Sequence, residues 1–405
     1  MNVAILGYGV VGSGVAAVLK MNYEHILKQS MQDSLELRYV LDLRTFPGDP
    51  NELLVTNDFQ KILNDSQVGI VVETMGGLHP AYEFVSACLK AGKSVVTSNK
   101  ELVAEKGYEL LKTAESNNVN FLFEASVGGG IPVIRPISQC LAANEITEVA
   151  GILNGTTNFI LTKMIEENSD FDSALTLAQQ LGYAEKDPTA DIEGADACRK
   201  ICILAALCFG YHVYPDSVYT EGISKISPAD VEYAKSYDCV IKLIASAKKE
   251  KGGKNVSVRV SPAFIKNSSQ LAGVSDVFNA VLVRGNAVGD VVFYGRGAGK
   301  MPTASAVVAD IIDCAKHIEK RKNIGWENSI DGYVLDAGEF ESSFYVRING
   351  KKEDVTAAFS GVKFLNRENA PEDEVAFIVS EIKAGALKER LGGFDVKNII
   401  RITDY

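Results

Sequence analysis

The chain has 405 residues, of which 46% are hydrophobic and 23% charged, and its formal net charge is −11 at pH 7. This length predicts about two or three domains. The acidic balance argues against nucleic acid or an anionic membrane as the main partner, because binding phosphates requires clustered Lys and Arg. No apolar run reaches the ~18 residues that span a bilayer, and the first residues lack the basic region of a signal peptide. The seven cysteines form no CxxC pair, which favours reduced thiols, so we expect a cytoplasmic protein with a small-molecule ligand.

The first 130 residues predict an α/β fold with a Rossmann-type, doubly wound parallel sheet. Residues 2–6 form a predicted buried strand, and the apolar pattern after them has the period of a helix. Further strands are predicted in ELRYVLDL, VGIVVETM, KSVVTSN and VNFLFEAS, and helices in HPAYEFVSACLKAG and ELVAEKGYELLKTAESN. Such alternation is typical of a parallel sheet with helices on both faces.

After about Gly130 the pattern changes to longer helices mixed with strands. Helices are predicted over residues 157–168, 170–181 and 195–210, and strands in KNVSVRVSPAF and NAVLVRG, which indicates an α+β catalytic and dimerisation domain over residues 131–320. A helix around residues 302–320 is expected to pack back on the first domain. Residues 340–405 predict a small βαββαβ-like module.

The stretch GYGVVGSG has the G-x-G-x-x-G spacing, with Gly7, Gly9 and Gly12 directly after a strand and at the start of a helix. The glycines permit a tight turn, close approach of a pyrophosphate and contact between helix and strand, so the motif predicts dinucleotide binding. Asp42, at the end of the second strand, would accept a hydrogen bond from a ribose 2′-hydroxyl and favour NAD. Arg44 could hold a 2′-phosphate and favour NADP. The choice between NAD and NADP stays open.

Lys100 lies in TSNKELVA, where a strand of the predicted sheet ends and a helix begins. Ligands bind outside the carboxyl ends of such strands, so Lys100 is a candidate for the cofactor crevice. The alternative is a surface lysine in the first turn of a helix.

The stretch GYAEKDPTADIEGADACRK, residues 182–200, precedes a strongly apolar helix. If that helix starts near Gly194, Asp196 and Lys200 share the face that becomes apolar further along. Most Asp-x-x-x-Lys pairs are solvated salt bridges, but this one is directed toward a buried surface. Carboxylates nearby, from Glu185, Asp191 and Asp196, would keep a buried lysine protonated within reach of a substrate oxygen.

Five blocks of the sequence resemble the homoserine dehydrogenase family. The family pattern G-Y-A-E-x-D-P-x-x-D-x-x-G-x-D-x-x-x-K agrees at every fixed position with the stretch just described. The other blocks have similar counterparts, in the same order, in GILNGTTNFILTKM (151–164), TSNKELVA, FEASVGGGIP (123–132) and GRGAGKMPTASAVVADI (295–311). The resemblance covers roughly residues 1–320 and implies a monofunctional enzyme with a reduced ACT-like tail.

The resemblance implies a role for each matching residue. Lys200 matches the proton donor and Lys100 the second active-site lysine. The implied substrate-binding residues, which would hold the homoserine and its ammonium group, are Glu185, Asp191, Asp196, Gly155 and Thr156. The implied cofactor-binding residues are Gly7, Gly9, Val10, Val11, Gly12, Asp42, Arg44, Thr74, Lys100 and Gly297. FEASVGGGIP resembles the family's site for a monovalent cation, Na or K, with main-chain ligands from Glu124, Val127, Gly129 and Ile131; the alternative is a plain loop.

The implied reaction is the reversible, NAD- or NADP-dependent reduction of L-aspartate 4-semialdehyde to L-homoserine, in the threonine, methionine and isoleucine branch of aspartate-derived amino-acid synthesis. Hydride passes from the nicotinamide C4 to the aldehyde carbon, while Lys200 or a water that it holds protonates the alkoxide. We expect a homodimer or homotetramer.

Two positions depart from the family pattern. Bacterial relatives often carry an arginine where this chain has Leu41, which bears on an NADP preference. The tail segment INGKKEDVTAAFSGVKFL lacks the D-x-P-G-V-L effector turn of ACT domains, so its fold is expected and its threonine binding is not. No aspartokinase segment precedes the dehydrogenase part, which is why a monofunctional form is expected.

Three other functions are compatible with the scaffold. The first is a dehydrogenase of another small amino acid or semialdehyde. The second is a phosphorylating semialdehyde dehydrogenase, which requires a nucleophilic cysteine in a loop, whereas the cysteines here lie in apolar helical contexts. The third is a nicotinamide-binding sensor without catalysis.

Overall fold

The computed structural model describes residues 1–250 and 252–405, and the chain forms two compact units. The first unit contains Met1–Glu145, Cys202–Pro215 and Gly295–Ser329. The second contains Ile146–Ile201, Asp216–Tyr294 and Ile330–Tyr405. The division into domains over residues 1–130, 131–320 and 340–405 stays a prediction. Across the described ranges, no helix combines the length and apolar character needed to cross a membrane.

The secondary structure alternates strands and helices along most of the chain. The strands are β1 (Asn2–Leu6), β2 (Glu36–Leu41), β3 (Val55–Thr56), β4 (Val68–Glu73), β5 (Ser94–Thr97), β6 (Phe121–Leu122), β7 (Ile146–Ile152), β8 (Tyr219–Thr220), β9 (Cys239–Lys249), β10 (Val256–Lys266), β11 (Phe278–Gly285), β12 (Gly289–Arg296), β13 (Glu341–Asn349), β14 (Lys363–Leu365), β15 (Glu374–Lys383) and β16 (Asp395–Thr403). The helices are α1 (Val10–Met21), α2 (Tyr23–Ser30), α3 (Phe59–Leu63), α4 (Ala81–Lys90), α5 (Lys100–Ser116), α6 (Gly155–Glu166), α7 (Phe171–Gln180), α8 (Thr189–Ile192), α9 (Ala195–Phe209), α10 (Pro228–Ser236), α11 (Lys300–Lys316), α12 (Lys352–Ala358) and α13 (Ala384–Arg390).

The first unit contains a parallel sheet in the order β3-β2-β1-β4-β5-β6. Its central strands are nearly continuous apolar runs, as expected for strands that helices cover on both faces. The strand order reverses between β1 and β4, and ligands of doubly wound sheets bind at such a switch point. The predicted Rossmann fold is confirmed.

Helix α11, which ends at Lys316, belongs to the first unit. Its buried side chains join those of α1 in one apolar core. The two helices approach closely at Gly14, where an added Cβ would lie 2.9 Å from the Lys300 carbonyl oxygen.

The second unit contains a mixed sheet in the order β12-β11-β7-β9-β10-β16-β13-β15-β14, and β8 pairs with β10. Strands β11, β7, β9 and β10 are antiparallel neighbours. The three helices predicted between residues 157 and 210 are α6, α7 and α9, and their observed ends differ from the prediction by at most two residues. The predicted α+β character is confirmed.

The tail has the predicted element order, β13-α12-β14-β15-α13-β16. It has its own apolar core, but β16 also pairs in parallel with β10, with Arg401 beside Ala263. The tail therefore continues the sheet of the second unit, which the sequence patterns did not predict. Its assignment to the ACT class stays a prediction.

One lysine of this sheet is buried and hydrogen-bonded to neutral oxygen atoms. Lys242, in β9, is 2% exposed, and its Nζ donates to the Val274 carbonyl oxygen at 2.6 Å and to Asn158 Oδ1 at 3.3 Å. Burial lowers the pKa of Lys242 from 10.5 to about 8, because the charged form loses hydration.

We expect this lysine to make stability depend on alkaline pH. At pH values between the pKa of Lys242 in the folded chain and its pKa in the unfolded chain, the unfolded chain binds more protons. The free-energy penalty of burying this lysine therefore falls as the pH rises. We compare the natural protein with Lys242→Met. At ~1.4 kcal/mol per pKa unit, the unfolding free energy of the natural protein should rise by about 2–3 kcal/mol relative to that of the variant as the pH increases from 8 to 10.5. Urea unfolding of both proteins at several pH values measures this gain. A difference between the two proteins that does not change with pH would contradict the assignment.

Candidate active site

The glycine motif forms the turn between β1 and α1. Gly7 has φ +92°, and a Cβ on Gly12 would lie 2.1 Å from the Gly7 carbonyl oxygen, so both positions require glycine. No heavy atom lies within 4 Å of a Cβ placed on Gly9 within the described structure. This open space in front of the start of α1 fits the approach of a pyrophosphate, with Val10 and Val11 in the first helical turn.

Thr74 holds the glycine turn from the neighbouring strand. Its hydroxyl donates to the Gly7 carbonyl oxygen at 2.8 Å, and its backbone N–H donates to the Leu6 oxygen at 2.9 Å. The predicted cofactor residues Gly7 and Thr74 are therefore in direct contact.

The two residues predicted to read the ribose bind each other. The Asp42 carboxylate accepts from Arg44 Nε at 3.0 Å, from Arg44 Nη2 at 2.8 Å and from the Tyr8 backbone N–H at 2.8 Å. The Arg44 guanidinium holds the pKa of Asp42 well below its usual range. Arg44 is 62% exposed, so an incoming ligand can contact its cation while Asp42 stays ionised beneath it.

A buried carboxylate next to Thr74 was missed in the sequence. Glu73, at the end of β4, is fully buried and accepts from Thr97 Oγ1 at 2.5 Å and from the Met75 N–H at 2.7 Å. Burial raises the pKa of Glu73. The sequence VGIVVETM could have indicated this buried carboxylate, because its glutamate ends an apolar strand.

The start of α5 is held by Asn99. Its Oδ1 accepts from the Leu102 N–H at 3.0 Å, and its Nδ2 donates to the Gly77 oxygen at 2.6 Å. This cap fixes where the helix begins, and its first residue is Lys100. The predicted position of Lys100, at the carboxyl edge of the parallel sheet, is therefore found in the fold, whereas its role in the site stays a prediction.

The glycine-rich loop packs against the segment that contains Gly297. Gly129 has φ +57°, a Cβ on it would lie 2.1 Å from the Gly297 oxygen, and the Gly130 N–H donates to the Arg296 oxygen at 3.2 Å. A residue predicted to bind the monovalent cation, Gly129, thus lies next to a residue predicted to bind the cofactor, Gly297. Only glycine fits at this approach.

The Glu124 side chain binds backbone N–H groups, whereas the prediction for this residue concerned its main-chain oxygen as a cation ligand. Its carboxylate accepts from three successive backbone N–H groups, those of Val133, Ile134 and Arg135, at 2.6–2.8 Å. It therefore orders the chain that follows the glycines. Cation binding by the carbonyl oxygens of Glu124, Val127, Gly129 and Ile131 stays a prediction.

In the second unit, Lys200 is held between a carbonyl and a carboxylate. Its Nζ donates to the Leu153 oxygen and to Asp196 Oδ2, each at 2.7 Å, and the residue is 8% exposed. Asp196 and Lys200 lie one turn apart in α9, so the predicted pair on the buried face is present. A cation in such a place is fixed in position by its ion pair.

Asn154 joins the two aspartates of the site. Its Nδ2 donates to Asp191 Oδ1 at 2.7 Å and to Asp196 Oδ2 at 2.9 Å, and its Oδ1 accepts from the Thr157 N–H at the start of α6. Sequence reasoning missed this residue, although an asparagine between a strand and GTT is a recognisable helix cap.

Thr156 and Gly155 lie in the same cluster. Thr156 Oγ1 donates to the Tyr183 oxygen at 2.7 Å and to Asp191 Oδ2 at 3.2 Å. Burial, and then the charge of Asp196, raise the pKa of Asp191. When all three side chains are ionised, the two aspartates outweigh the one lysine by a single negative charge, which suits a cationic group.

Glu185 lies outside this cluster. Its side chain is exposed in the loop between α7 and α8, and only its backbone oxygen takes part in a hydrogen bond, from Gln179, among the contacts found in the described residues. Its predicted contact with the substrate ammonium stays a prediction.

The chain was compared with known proteins. The family model "Homoserine dehydrogenase, NAD binding domain" matches residues 7–124, and the model "Homoserine dehydrogenase" matches residues 132–312. The chain is 42% identical to a homoserine dehydrogenase of Neisseria gonorrhoeae over 370 residues, which is 87% of this chain and 82% of the relative. It is 45% identical to one of Synechocystis over 317 residues, 77% of this chain and 73% of the relative.

Solved structures agree. A homoserine dehydrogenase from Thiobacillus denitrificans superposes with a TM-score of 0.87 at 34% identity, covering 100% of this chain and 98% of the other. A hyperthermophilic archaeal homoserine dehydrogenase in complex with NADPH gives a TM-score of 0.65 at 28% identity, covering 77% of this chain and 97% of the other. The chain therefore belongs to the homoserine dehydrogenase family.

Proposed function

We propose that Lys200 is the proton donor in the reduction of L-aspartate 4-semialdehyde to L-homoserine, the reaction that the family assigns to this chain. The observation that carries the proposal is the position of the Lys200 amine, buried and bonded to both Asp196 and the Leu153 oxygen. The carboxylate favours the charged, protonated amine, while burial favours its neutral form. A lysine amine held at this position can give a proton to an alkoxide and recover it in the reverse reaction.

The two aspartates are proposed to bind the substrate ammonium. Asp191 and Asp196 are held side by side by Asn154, and their charge exceeds that of Lys200 by one. An ammonium placed here would restore neutrality and lower the raised pKa of Asp191. Gly155 and Thr156 would shape the same pocket, and Glu185 would reach it from its loop.

The first unit is proposed to bind the nicotinamide cofactor, which supplies the hydride when bound. The open space at Gly9 and the start of α1 fit its pyrophosphate. The proposed cofactor residues are Gly7, Gly9, Val10, Val11, Gly12, Asp42, Arg44, Thr74, Lys100 and Gly297.

The reaction is tested by measuring NADH and NADPH formation from L-homoserine with the purified protein. We expect turnover with at least one coenzyme. Tight coenzyme binding without turnover would instead favour the sensor function or another substrate.

We expect Arg44→Ala to weaken the binding of NADPH more than the binding of NADH. The guanidinium is exposed and its partner Asp42 is already ionised, so Arg44 is placed to bind a 2′-phosphate by a charge-assisted bond. The KM for NADPH should rise by about tenfold or more, since loss of such a bond commonly costs that factor. The KM for NADH should change little. Arg38→Ala, at an arginine that pairs with Asp65 on the same sheet, is the control. Equal effects on both coenzymes would contradict the assignment.

The monovalent cation, Na or K, is proposed at the main-chain oxygens of Glu124, Val127, Gly129 and Ile131. The support is the fixed geometry of this loop, which the Gly297 contact and the Glu124 carboxylate impose. Replacing Na and K salts by a bulky organic cation tests the proposal by its effect on activity.

A cytoplasmic homodimer or homotetramer is proposed. Strand β12 ends the sheet order of the second unit and carries Tyr294, which is 56% exposed. The cysteines are in the thiol form in the described structure, and most of them are buried, which fits a reducing compartment. Sedimentation velocity measures the oligomeric state.

A further inference from the structure

A cavity in the second unit lies away from the cluster around Lys200. Its volume is about 340 Å³, and its walls come from β8, β16, α13 and the segments beside them. It shares no lining residue with the candidate active site in the part of the chain that the structure describes. The lining residues that matter here are Tyr219, Lys225, Phe344, Leu387, Lys388 and Arg401.

Arg401, in β16, carries a buried charge into this cavity. Arg401 is 6% exposed, and its Nη1 has no hydrogen-bond partner within residues 1–250 and 252–405. The nearby Glu221 carboxylate accepts instead from the Tyr219 hydroxyl at 2.9 Å. A buried guanidinium is normally hydrogen-bonded to an anion, so the Nη1 group of Arg401 is open to one even with the Glu221 charge nearby.

Aromatic rings surround the guanidinium and leave its N–H groups directed elsewhere. The Arg401 Cζ lies 4.8 Å from the ring centre of Phe344, 5.7 Å from Tyr219 and 6.0 Å from Phe340. Rings of this kind stabilise the cation through their faces but accept none of its in-plane hydrogen bonds. Burial and the neighbouring cation Arg259 lower the pKa of Arg401 to about 10, which an anion would reverse.

The other charges of the cavity are mostly positive. Lys225, Lys388 and Lys397 line it together with Arg401, against the single carboxylate of Glu221 among the lining residues described. The Lys388 ammonium lies 5.9 Å from the Tyr219 ring centre, above the same aromatic group that contacts Arg401. Lys397 also pairs with Asp395 at 2.9 Å, so Lys225, Lys388 and Arg401 are the cations that set a positive potential in the cavity against the Glu221 carboxylate.

We propose that this cavity is a binding site for a small anion with a carboxylate or phosphate group, held by Arg401 and supported by Lys388. A planar guanidinium binds either group through two parallel hydrogen bonds. The apolar side chains of Phe344 and Leu387 leave room for a short carbon skeleton on the anion.

The test is the thermal unfolding midpoint of the full-length protein with sodium phosphate, sodium succinate or sodium chloride at equal ionic strength. Phosphate or succinate should raise the midpoint above that in chloride, because a ligand that binds only the folded state stabilises it. The probe with the larger shift identifies the preferred group. Arg401→Met should unfold at or above the temperature of the natural protein in chloride, because it removes an unpaired buried charge, and its response to the probes should be lost.

Two further variants separate binding from a general effect on folding. Lys388→Met replaces an exposed side chain of the cavity and should weaken binding of the effective probe several-fold. Arg390→Met, also exposed and on the same helix but outside the cavity, should bind as the natural protein does. Probe responses that persist in both Arg401→Met and Lys388→Met, as would arise from anions at the cofactor turn, would overturn the proposal. So would the absence of any probe response in the natural protein.

Discussion

Lys200→Met should lower the kcat of homoserine oxidation by about 10²- to 10⁴-fold, the usual contribution of a positioned general acid or base. Methionine has a similar length and no proton to exchange, so Asp196 loses its cation while the helix is kept. The buried partner Leu153 oxygen is also left without its donor. Steady-state kinetics with the preferred coenzyme, at several pH values, gives the effect on kcat and KM separately.

Lys200→Arg distinguishes proton transfer from charge alone. Arginine keeps the positive charge opposite Asp196, but it does not release a proton in proteins, so we expect a kcat nearly as low as that of the methionine variant. Lys163→Met is the control, because that lysine lies on α6 in an exposed pair with Glu167. Near-normal turnover of Lys200→Met with unchanged substrate affinity would refute the role of Lys200.

Arg135→Met should destabilise the first unit by about 3–5 kcal/mol, the cost of leaving a buried charge without its partner. Arg135 forms ion pairs with Asp310 and, at 3.2 Å, with Asp313. Asp310 is buried and also accepts from the Glu124 backbone N–H at 2.8 Å. The variant leaves this carboxylate without its cation.

The effect should depend on pH in a defined direction. Burial raises the pKa of Asp310 to about 7 although Arg135 lowers it, so the folded state binds more protons there than the unfolded state between pH 4 and 7. Without Arg135 this pKa rises further. The loss of stability should therefore be larger at pH 8 than at pH 6, as measured by urea unfolding. Arg38→Met, at a partly exposed ion pair, should lower the unfolding free energy by only about 1 kcal/mol or less, and equally at both pH values. An equal loss at both pH values would contradict this account of Asp310.

Local spacing predicted the parts of the site that lie within one element or one turn. The G-x-G-x-x-G motif lies in the predicted strand-turn-helix, and Asp196 and Lys200 meet because residues four apart share a helix face. The family blocks around these residues led to the same family as the comparisons.

Contacts between distant segments were not predicted. Asn154 joins Asp191 and Asp196 across about forty residues, and such a bridge has no spacing rule. Glu185 belongs to the same charged stretch as Lys200, yet it lies exposed, because the loop between α7 and α8 is not constrained by helix periodicity.

The amino-acid sequence by itself determined the element types, the cofactor turn and the acid–lysine pair, because these depend on periodicity and on neighbours a few residues apart. Only the tertiary structure decided that β16 continues the sheet of the second unit beside β10, and that Arg401 is buried among aromatic rings without a partner for Nη1 in the described residues. The physical reason is that strand pairing and burial depend on contacts between segments far apart in the chain, and the local periodicity of residues does not show which distant segments will pair.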